Sequence, residues 1–284
     1  MVTKAHSGKT AILKAVSLFE LLAALVLSAG CNVDLFGFFV SSELDDRLES
    51  RDDFHFLSDA DRNLSLGETY SFLALTDTHI EGGDAHELEK LMGHIAPSDK
   101  FVVVTGDITQ NGRREDVEKF IEIAKILGIP CYPVIGNHDI YLGNFSNWRD
   151  LIGSTSYRID HSNTTLFFLD SANASFGASQ IDWLLDALET AQGHVFVFSH
   201  VNLFVGDIRD LVHAGQITET RERAKILSFL KGRVDAVFAG HLHKRIIREA
   251  GGVAYIVTED FKDNKTYCRV HVSDEGIRLE FLEL

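Results

Sequence analysis

Seven side chains that can bind metal ions stand directly after short apolar segments of the sequence. The five segments end in Asp-Thr-His, Gly-Asp, Gly-Asn-His-Asp, a lone His, and Gly-His-Leu-His. Carboxylate, amide and imidazole ligands without a thiolate favour manganese, iron or zinc over soft metals. Seven ligands exceed what one tetrahedral zinc ion takes, but they suit two ions that share a carboxylate. The candidate ligands are Asp77, His79, Asp107, Asn137, His200, His241 and His243.

The segments before these residues have the pattern of strands that are buried on both faces. They are short, nearly continuous apolar runs rich in Val and Phe, which is typical of buried strands in a sheet. The predicted strands span 70–75, 101–105, 131–135, 165–170, 194–199 and 234–239. Since the carboxyl ends of strands in an α/β sheet gather along one edge, we expect the polar side chains to converge there. Without a cation, that convergence of carboxylates and imidazoles would be costly.

Helical patterns separate several of these strands and indicate the fold class. The four predicted helices span 84–95, 114–127, 179–191 and 219–230. The first opens with Asp84 and Glu87 in the spacing of a capping box, and the third opens in the same way at Ser179. Two hairpins follow, at 245–258 and 265–284. Strands that alternate with helices and end in hairpins predict one α/β domain, built on mixed sheets between helical layers.

The order of the motifs resembles the calcineurin-like metallophosphoesterase family. The resemblance covers Tyr70 to about Phe261 and includes all five motif blocks. It implies that residues 66–284 form an α/β sandwich of two mixed β-sheets flanked by helices, and that the chain hydrolyses phosphomonoesters or phosphodiesters. Family members often have His-x-Pro at the lone histidine, whereas the sequence from His200 is HVNLF. The loop after this histidine, which could contact the substrate, is therefore less predictable.

The resemblance also implies a role for each residue of the predicted dinuclear site. The ligands form two sets that share one carboxylate, namely Asp77, His79 and His243 for one ion, Asn137, His200 and His241 for the other, and Asp107 as the bridge. His138 is not a ligand but donates a hydrogen bond or proton to the leaving oxygen, and Asp139 orients His138 from behind. The two ions activate a water molecule near neutral pH and take up charge on the phosphoryl oxygens.

The acidic composition restricts the partners of the protein. With 42 acidic against 27 basic residues, the formal net charge is -15, which opposes binding to nucleic acids. A small phosphorylated substrate remains compatible because a bound metal reverses the local field. Arg113 and Arg114 could clamp a phosphate or form a solvated pair at a helix edge, and His213 could contact the substrate. The alternatives are a catalytically silent metal-binding or scaffold protein of this fold, and a phosphatase acting on proteins or lipid headgroups.

The N-terminus resembles a bacterial lipoprotein signal. Lysines precede the apolar run LLAALVLSAGC, which ends at Cys31. This order predicts that residues 1–30 are a signal peptide and that Cys31 is lipidated. The alternative is an uncleaved anchor helix over 21–40, which approaches the ~20 residues needed to span a bilayer.

The acidic segment 31–65 is predicted to be a tether or a docked arm between the N-terminus and the domain. In both N-terminal interpretations we expect a membrane-anchored protein of the cell envelope, with the domain on the periplasmic or extracytoplasmic face. In that oxidising compartment Cys131 and Cys268 could form one disulfide, and the alternative is two buried thiols.

Overall fold

A computed structural model describes residues 44–50, 53–204 and 220–284. The predicted signal peptide, the predicted lipidation site Cys31 and the candidate contact residue His213 lie outside these residues. Within them, no helix has the length and apolar character needed to cross a bilayer.

The described strands belong to two mixed sheets. In chain order they are β1 Tyr70–Leu75, β2 Asp99–Thr105, β3 Cys131–Val134, β4 Tyr157–His161, β5 Thr164–Phe168, β6 His194–Phe198, β7 Ala236–Ala239, β8 Ile246–Ala250, β9 Val253–Val257, β10 Thr266–Ser273 and β11 Gly276–Glu283. The first sheet has the order β11-β10-β1-β2-β3 and the second has the order β4-β5-β6-β7-β9-β8. In the first sheet β1, β2 and β3 are parallel, and in the second β5, β6, β7 and β9 are parallel.

Aromatic side chains pack in the core between the two sheets. They come from alternate residues of each strand, which face inward. The ring of Phe72 on β1 lies 5.2 Å from that of Phe196 on β6 and 5.8 Å from that of Phe238 on β7. The neighbouring residues Leu73 and Leu75 point the other way and belong to a second core cluster under the helices. Both faces of β1 are thus buried, as the continuous apolar run predicts, and the predicted sandwich of two mixed sheets is confirmed.

Helices and short 3-10 segments connect the strands. The helices of the described residues are α1 Leu44–Arg47, α2 Asp59–Arg62, α3 His86–Lys90, α4 Arg114–Ile126, α5 Phe145–Leu151, α6 Ala178–Leu188, α7 Thr220–Leu230 and α8 Phe261–Asn264. The 3-10 segments are Leu48–Ser50, Leu91–His94 and His138–Gly143. The predicted helix 84–95 is therefore two shorter elements, and the predicted capping box does not form. The Asp84 carboxylate accepts from the amide of His86, and Ala85 is the N-cap.

The start of α6 also differs from the predicted cap at Ser179. The helix begins one residue earlier, after Gly177, and the cap comes from the side chain of Glu222 on α7. This carboxylate accepts hydrogen bonds from the amides of Phe176 at 2.9 Å and Gly177 at 3.2 Å. A carboxylate at a helix N-terminus satisfies amides that have no partner inside the helix. Because the cap lies on another helix, no local sequence pattern could predict it.

The described part of segment 31–65 packs against the domain. The side chain of Arg47 is fully buried and pairs with Asp170, which follows β5. Further along the segment, Leu48 and Leu57 are also buried. Cys131 and Cys268 are both buried and both free, so the structure contains the two buried thiols rather than the disulfide.

Candidate metal centre

The candidate ligands lie on the turns that follow parallel strands of both sheets. Asp77 and His79 follow β1, Asp107 follows β2, Asn137 follows β3, His200 follows β6, and His241 and His243 follow β7. Main-chain hydrogen bonds tie these turns to one another. The amide of Asp77 donates to the carbonyl of Gly106, and the amide of His79 donates to the carbonyl of Asp107, each at 3.0 Å. These bonds join the turns after β1 and β2, and the candidate ligand atoms of all five strand ends lie close together at one edge, as the sequence predicts.

The backbone of these turns is strained at the candidate ligands. Five of the seven residues have a positive φ without being glycine, namely Asp77 at 55°, His79 at 42°, Asp107 at 48°, His241 at 68° and His243 at 51°. In this left-handed region the Cβ of an L-residue crowds the backbone, which costs about 1 kcal/mol or more per residue. Such residues cluster at functional sites, where the surrounding structure holds them in place.

Two motif glycines allow the strand ends to approach closely. A Cβ at Gly136 would collide with the backbone nitrogen and carboxylate of Asp107. A Cβ at Gly106, whose φ is +94°, would collide with the imidazole of His200. The glycines of the Gly-Asp and Gly-Asn-His-Asp motifs are thus required by packing between the loops.

The first group of candidate ligands is Asp77, His79 and His243. Asp77 Oδ1 lies 3.2 Å from Nε2 of His243 and 3.7 Å from Nε2 of His79. The other oxygen, Oδ2, accepts from the Thr76 hydroxyl at 2.7 Å and from the amide of His241 at 3.1 Å. Burial alone would raise the pKa of Asp77, but the imidazole of His243 beside Oδ1 and the charge of His200 outweigh burial and lower it. Asp77 is therefore ionised, with one oxygen fixed and the other directed at the two imidazoles.

The second group consists of Asp107, Asn137, His200 and His241. His200 Nε2 lies 3.2 Å from Oδ2 of Asp107, 3.0 Å from Oδ1 of Asn137 and 3.1 Å from Nδ1 of His241. The other ring nitrogen of His200 donates to the carbonyl of Thr105 at 2.9 Å. This bond fixes the ring so that Nε2 faces the other three side chains.

The carboxylates of Asp107 and Asp77 favour a positive charge in this second group. Burial would lower the pKa of His200, but the charge and hydrogen bond of Asp107 and the charge of Asp77 raise it to about 9. For His241, burial and the charge of His200 lower the pKa to about 4. One imidazole thus retains a proton next to the carboxylates while its neighbour stays neutral.

Asp107 connects the two groups. Its ligand oxygens lie within 4.8 Å of ligand nitrogens of His79 and His138 on one side, and of His200 and His241 on the other. Its Oδ1 also accepts from the amide of His138 at 2.9 Å. The position between the two groups is the one that the predicted bridging role requires.

The residues present fit a pair of metal ions. Asp77 Oδ1 and His79 Nδ1 are buried and have no hydrogen-bond partner among the described residues. A buried anionic oxygen without a donor is costly unless a cation satisfies it. The oxygen and nitrogen donors include no thiolate, which suits manganese, iron or zinc.

His138 lies at the edge of the two groups and is partly exposed. Its Nδ1 donates to the carbonyl of Gln110 at 2.8 Å, and its Nε2 lies 3.9 Å from Oδ2 of Asp107. Since the carbonyl can only accept, Nδ1 carries a hydrogen and Nε2 is the nitrogen that can exchange a proton with a substrate. This arrangement suits a proton donor to a leaving oxygen.

The prediction that Asp139 orients His138 from behind is wrong in its contacts. The carboxylate of Asp139 accepts instead from the amides of Thr109 at 2.8 Å, Gly136 at 2.9 Å and Ile108 at 3.3 Å. The two residues are adjacent on a 3-10 turn, so their side chains point in different directions, and the carbonyl of Gln110 takes the place of the carboxylate. Asp139 ties the loop after β2 to the loop after β3. Burial and the charge of Asp107 raise its pKa to about 6.

Two other contacts of the site come from residues outside any sequence motif. Lys262 at the start of α8 donates from Nζ to the carbonyl of His79 at 3.1 Å, and neither this contact nor that of Gln110 has a recognisable local pattern. Arg114 pairs with Glu118 at 2.9 Å on the exposed surface of α4, which is the solvated helix-edge alternative.

Comparison with known proteins identifies the class of this fold and site. The family model described as calcineurin-like phosphoesterase matches residues 70–245. The chain therefore belongs to the calcineurin-like phosphoesterase family, as the motifs predict, and it is a phosphoesterase. Members of this family use a dinuclear metal centre, and the candidate ligand groups described above lie in the matched residues.

Individual relatives and solved structures agree with this assignment. The chain is 26% identical over 264 residues to the serine/threonine-protein phosphatase CPPED1 of Rattus norvegicus, covering 80% of this chain and 79% of the relative. It is 42% identical over 77 residues to a probable glycerophosphodiester phosphodiesterase GpdQ of Arcobacter nitrofigilis, covering 23% of this chain and 28% of the relative. The fold is similar to a dimetal phosphatase from Danio rerio, with a TM-score of 0.60 and 14% identity, over 75% of this chain and 97% of that structure. It is also similar to a purple acid phosphatase from yellow lupin, with a TM-score of 0.62 and 12% identity, over 76% of this chain and 51% of that structure.

Proposed function

We propose that this phosphoesterase hydrolyses small phosphomonoesters or phosphodiesters with two bound transition-metal ions, manganese, iron or zinc. The observation that carries the proposal is the convergence of oxygen and nitrogen ligands from five strand ends around Asp107, with Asp77 Oδ1 buried and without a hydrogen-bond donor in the described part of the chain. Asp77, His79 and His243 would hold one ion, Asn137, His200 and His241 the other, and Asp107 would lie between them.

Each side chain of the site has its own role in hydrolysis. When two ions are bound, they supply an activated water molecule and offset the charge on the phosphoryl oxygens. His138 keeps Nδ1 bonded to the Gln110 carbonyl, so Nε2 is the nitrogen that would pass a proton to the leaving oxygen of the ester. Asn137 is a neutral ligand, so it adds no negative charge that would repel the phosphate. Asp139 keeps the loops of Asp107 and Asn137 in register.

The substrate class follows from charge and from the relatives. The formal net charge of -15 opposes binding of nucleic acids. A small phosphate ester could still bind at the metal centre, because bound metal ions make the local electric field positive. The relatives include a protein phosphatase and a probable phosphodiesterase, so a phosphatase on proteins or lipid headgroups is the second candidate. A catalytically silent scaffold is disfavoured because every candidate ligand and His138 is present.

We also propose that the enzyme is tethered to a membrane at the bacterial cell envelope. The support is the order of lysines, apolar run and Cys31 in the sequence, with residues 1–30 as a lipoprotein-type signal peptide. Mass spectrometry of the native protein tests this. A chain that begins at a lipidated Cys31 is the expected result, and an intact 1–30 segment contradicts it.

The test of the activity is a substrate panel with defined metals. Metal-free protein is loaded with manganese, iron or zinc and assayed with p-nitrophenyl phosphate, its bis ester, a cyclic nucleotide, pyrophosphate, a phosphopeptide and a phospholipid. We expect hydrolysis of at least one small ester, its loss with EDTA, and its absence in Asp107→Ala. Activity that survives complete metal removal, or no hydrolysis of any small ester with any of the metals, would refute the proposal.

A further inference from the structure

Tyr141 is a buried side chain beside the candidate centre to which the motifs assign no role. Its ring lies against the ring of His138, with centroids 4.3 Å apart, and only 6% of the residue is exposed. Its hydroxyl oxygen accepts a hydrogen bond of 2.8 Å from Nδ2 of Asn137. Tyr141 therefore contacts both a proposed ligand of the second ion and the proposed proton donor.

The direction of the Asn137 amide determines whether it can bind a metal. Its Oδ1 lies 3.0 Å from Nε2 of His200, on the side of the second ligand group, while its Nδ2 faces Tyr141. A metal ion needs the lone pairs of the amide oxygen, and a reversed amide would direct two N–H groups at the cation. The amide therefore needs an acceptor on the far side of its nitrogen, and the Tyr141 hydroxyl is that acceptor.

We propose that Tyr141 is a positioning residue, whose hydroxyl holds the Asn137 amide with its oxygen toward the second metal ion. The inference rests on the proposed dinuclear function and adds to it a residue outside the ligand set. Without the hydroxyl, Nδ2 of Asn137 has no acceptor among the described residues, and the amide is held only through the contact of Oδ1 with His200. Losing one such hydrogen bond corresponds to about a tenfold change in an equilibrium constant.

The test is a manganese titration of metal-free full-length protein, in which free Mn²⁺ is measured by its electron paramagnetic resonance signal. We expect the parent protein to bind two equivalents, and the second equivalent denotes the ion held by Asn137, His200 and His241, whichever ion binds first. In Tyr141→Phe the ring contact with His138 is kept and only the hydroxyl is lost. Binding of the second equivalent should weaken about tenfold, and the first should change less than about twofold.

A matched control is Tyr70→Phe. Tyr70 is 1% exposed and its hydroxyl lies 2.6 Å from Oγ1 of Thr164, but it stands at the start of β1, at the opposite end of the strand from Asp77. This variant loses a buried hydroxyl without touching the centre, so both equivalents should bind as in the parent. Equal weakening of the second equivalent in the two variants would show general destabilisation and overturn the proposal.

A double-variant cycle tests the mechanism through the amide itself. In the Asn137→Asp background either carboxylate oxygen can bind the ion, so adding Tyr141→Phe should no longer weaken the second equivalent. The same weakening in both backgrounds, or parent-like binding in Tyr141→Phe alone, overturns the positioning role. A parent protein that does not bind two Mn²⁺ ions refutes the dinuclear proposal instead, so the two failures are distinguishable.

Discussion

The buried pair between Arg47 and Asp170 predicts a large loss of stability when the arginine is removed. Both side chains have no solvent exposure. Arg47 donates from Nε to Oδ2 of Asp170 at 2.8 Å and from Nη2 to Oδ1 at 2.9 Å. The amide of Ala172 also donates to the carboxylate, at Oδ1 and 3.1 Å. In Arg47→Met, Oδ2 is therefore left buried and charged without its donor.

The expected magnitude follows from the charge that remains. Breaking a buried ion pair by removing one partner costs about 3–5 kcal/mol, because the other charge stays buried and uncompensated. With a urea m-value of about 3 kcal/mol/M, a loss of ~4 kcal/mol lowers the midpoint of unfolding by roughly 1.3 M. Adding Asp170→Asn removes the charge and keeps an oxygen for the Ala172 amide, so the double variant should recover at least about half of the loss.

The assay is equilibrium urea unfolding of the parent, both variants and a surface control. Arg233→Met makes the same substitution in an exposed pair with Glu189, whose side chains are 45% and 64% exposed, and it should cost less than about 1 kcal/mol. If Arg47→Met shifts the midpoint no more than Arg233→Met does, the N-terminal segment is not held by a buried ion pair. If the double variant is as unstable as Arg47→Met, the loss does not come from an unpaired carboxylate.

Three further predictions concern the metal centre and the pH dependence of stability. His138→Ala should bind the same number of metal ions as the parent and lose about 10²- to 10⁴-fold in kcat; full activity, measured beside the exposed control His86→Ala, contradicts its role as acid. Manganese at about 100 times the Kd of a site should stabilise the parent by about 2.7 kcal/mol per bound ion in urea unfolding but not Asp107→Ala; an equal gain in both contradicts the bridging role. Burial lowers the pKa of His161 to about 4 although Asp160 opposes it, so stability should fall as pH drops from 6.5 toward 4, where only the unfolded chain takes up the proton. At pH 4.5 this loss is about 2.5 kcal/mol relative to neutral pH, and His161→Gln should lack it; a parent-like loss in the variant contradicts the assignment.

The sequence could predict those features that depend on local pattern. The continuous apolar run before Asp77 matches β1 residue for residue, and the polar side chains after the strands do meet at one edge. Strand β4 was not predicted because it is a short edge strand whose residues alternate between buried and partly exposed. The cap from Glu222 and the burial of Arg47 were not predictable either. Each depends on a partner far away in the chain, 45 residues for Gly177 and 123 for Asp170.

The error about Asp139 has the same physical origin and shows how the site is built. The motif Gly-Asn-His-Asp places two functional side chains next to each other, but adjacency in a 3-10 turn separates their directions. Consequently the imidazole of His138 is oriented by a main-chain carbonyl from the loop after β2, and the carboxylate of Asp139 is used to hold that same loop. The two contacts run between the same pair of loops in opposite directions.

Hydrogen bonds between neighbouring loops also explain how the candidate ligands keep a strained backbone. Five left-handed residues at about 1 kcal/mol each would consume a large part of the ~5–15 kcal/mol by which a folded domain is usually stable. The strain persists because each turn is bonded to the turn of a neighbouring strand, as Asp77 is to Gly106 and Gly240 is to His200. A turn therefore cannot relax without breaking hydrogen bonds of its neighbour. The strained carboxylates and imidazoles are thus held in position by the two sheets rather than by their own local sequence.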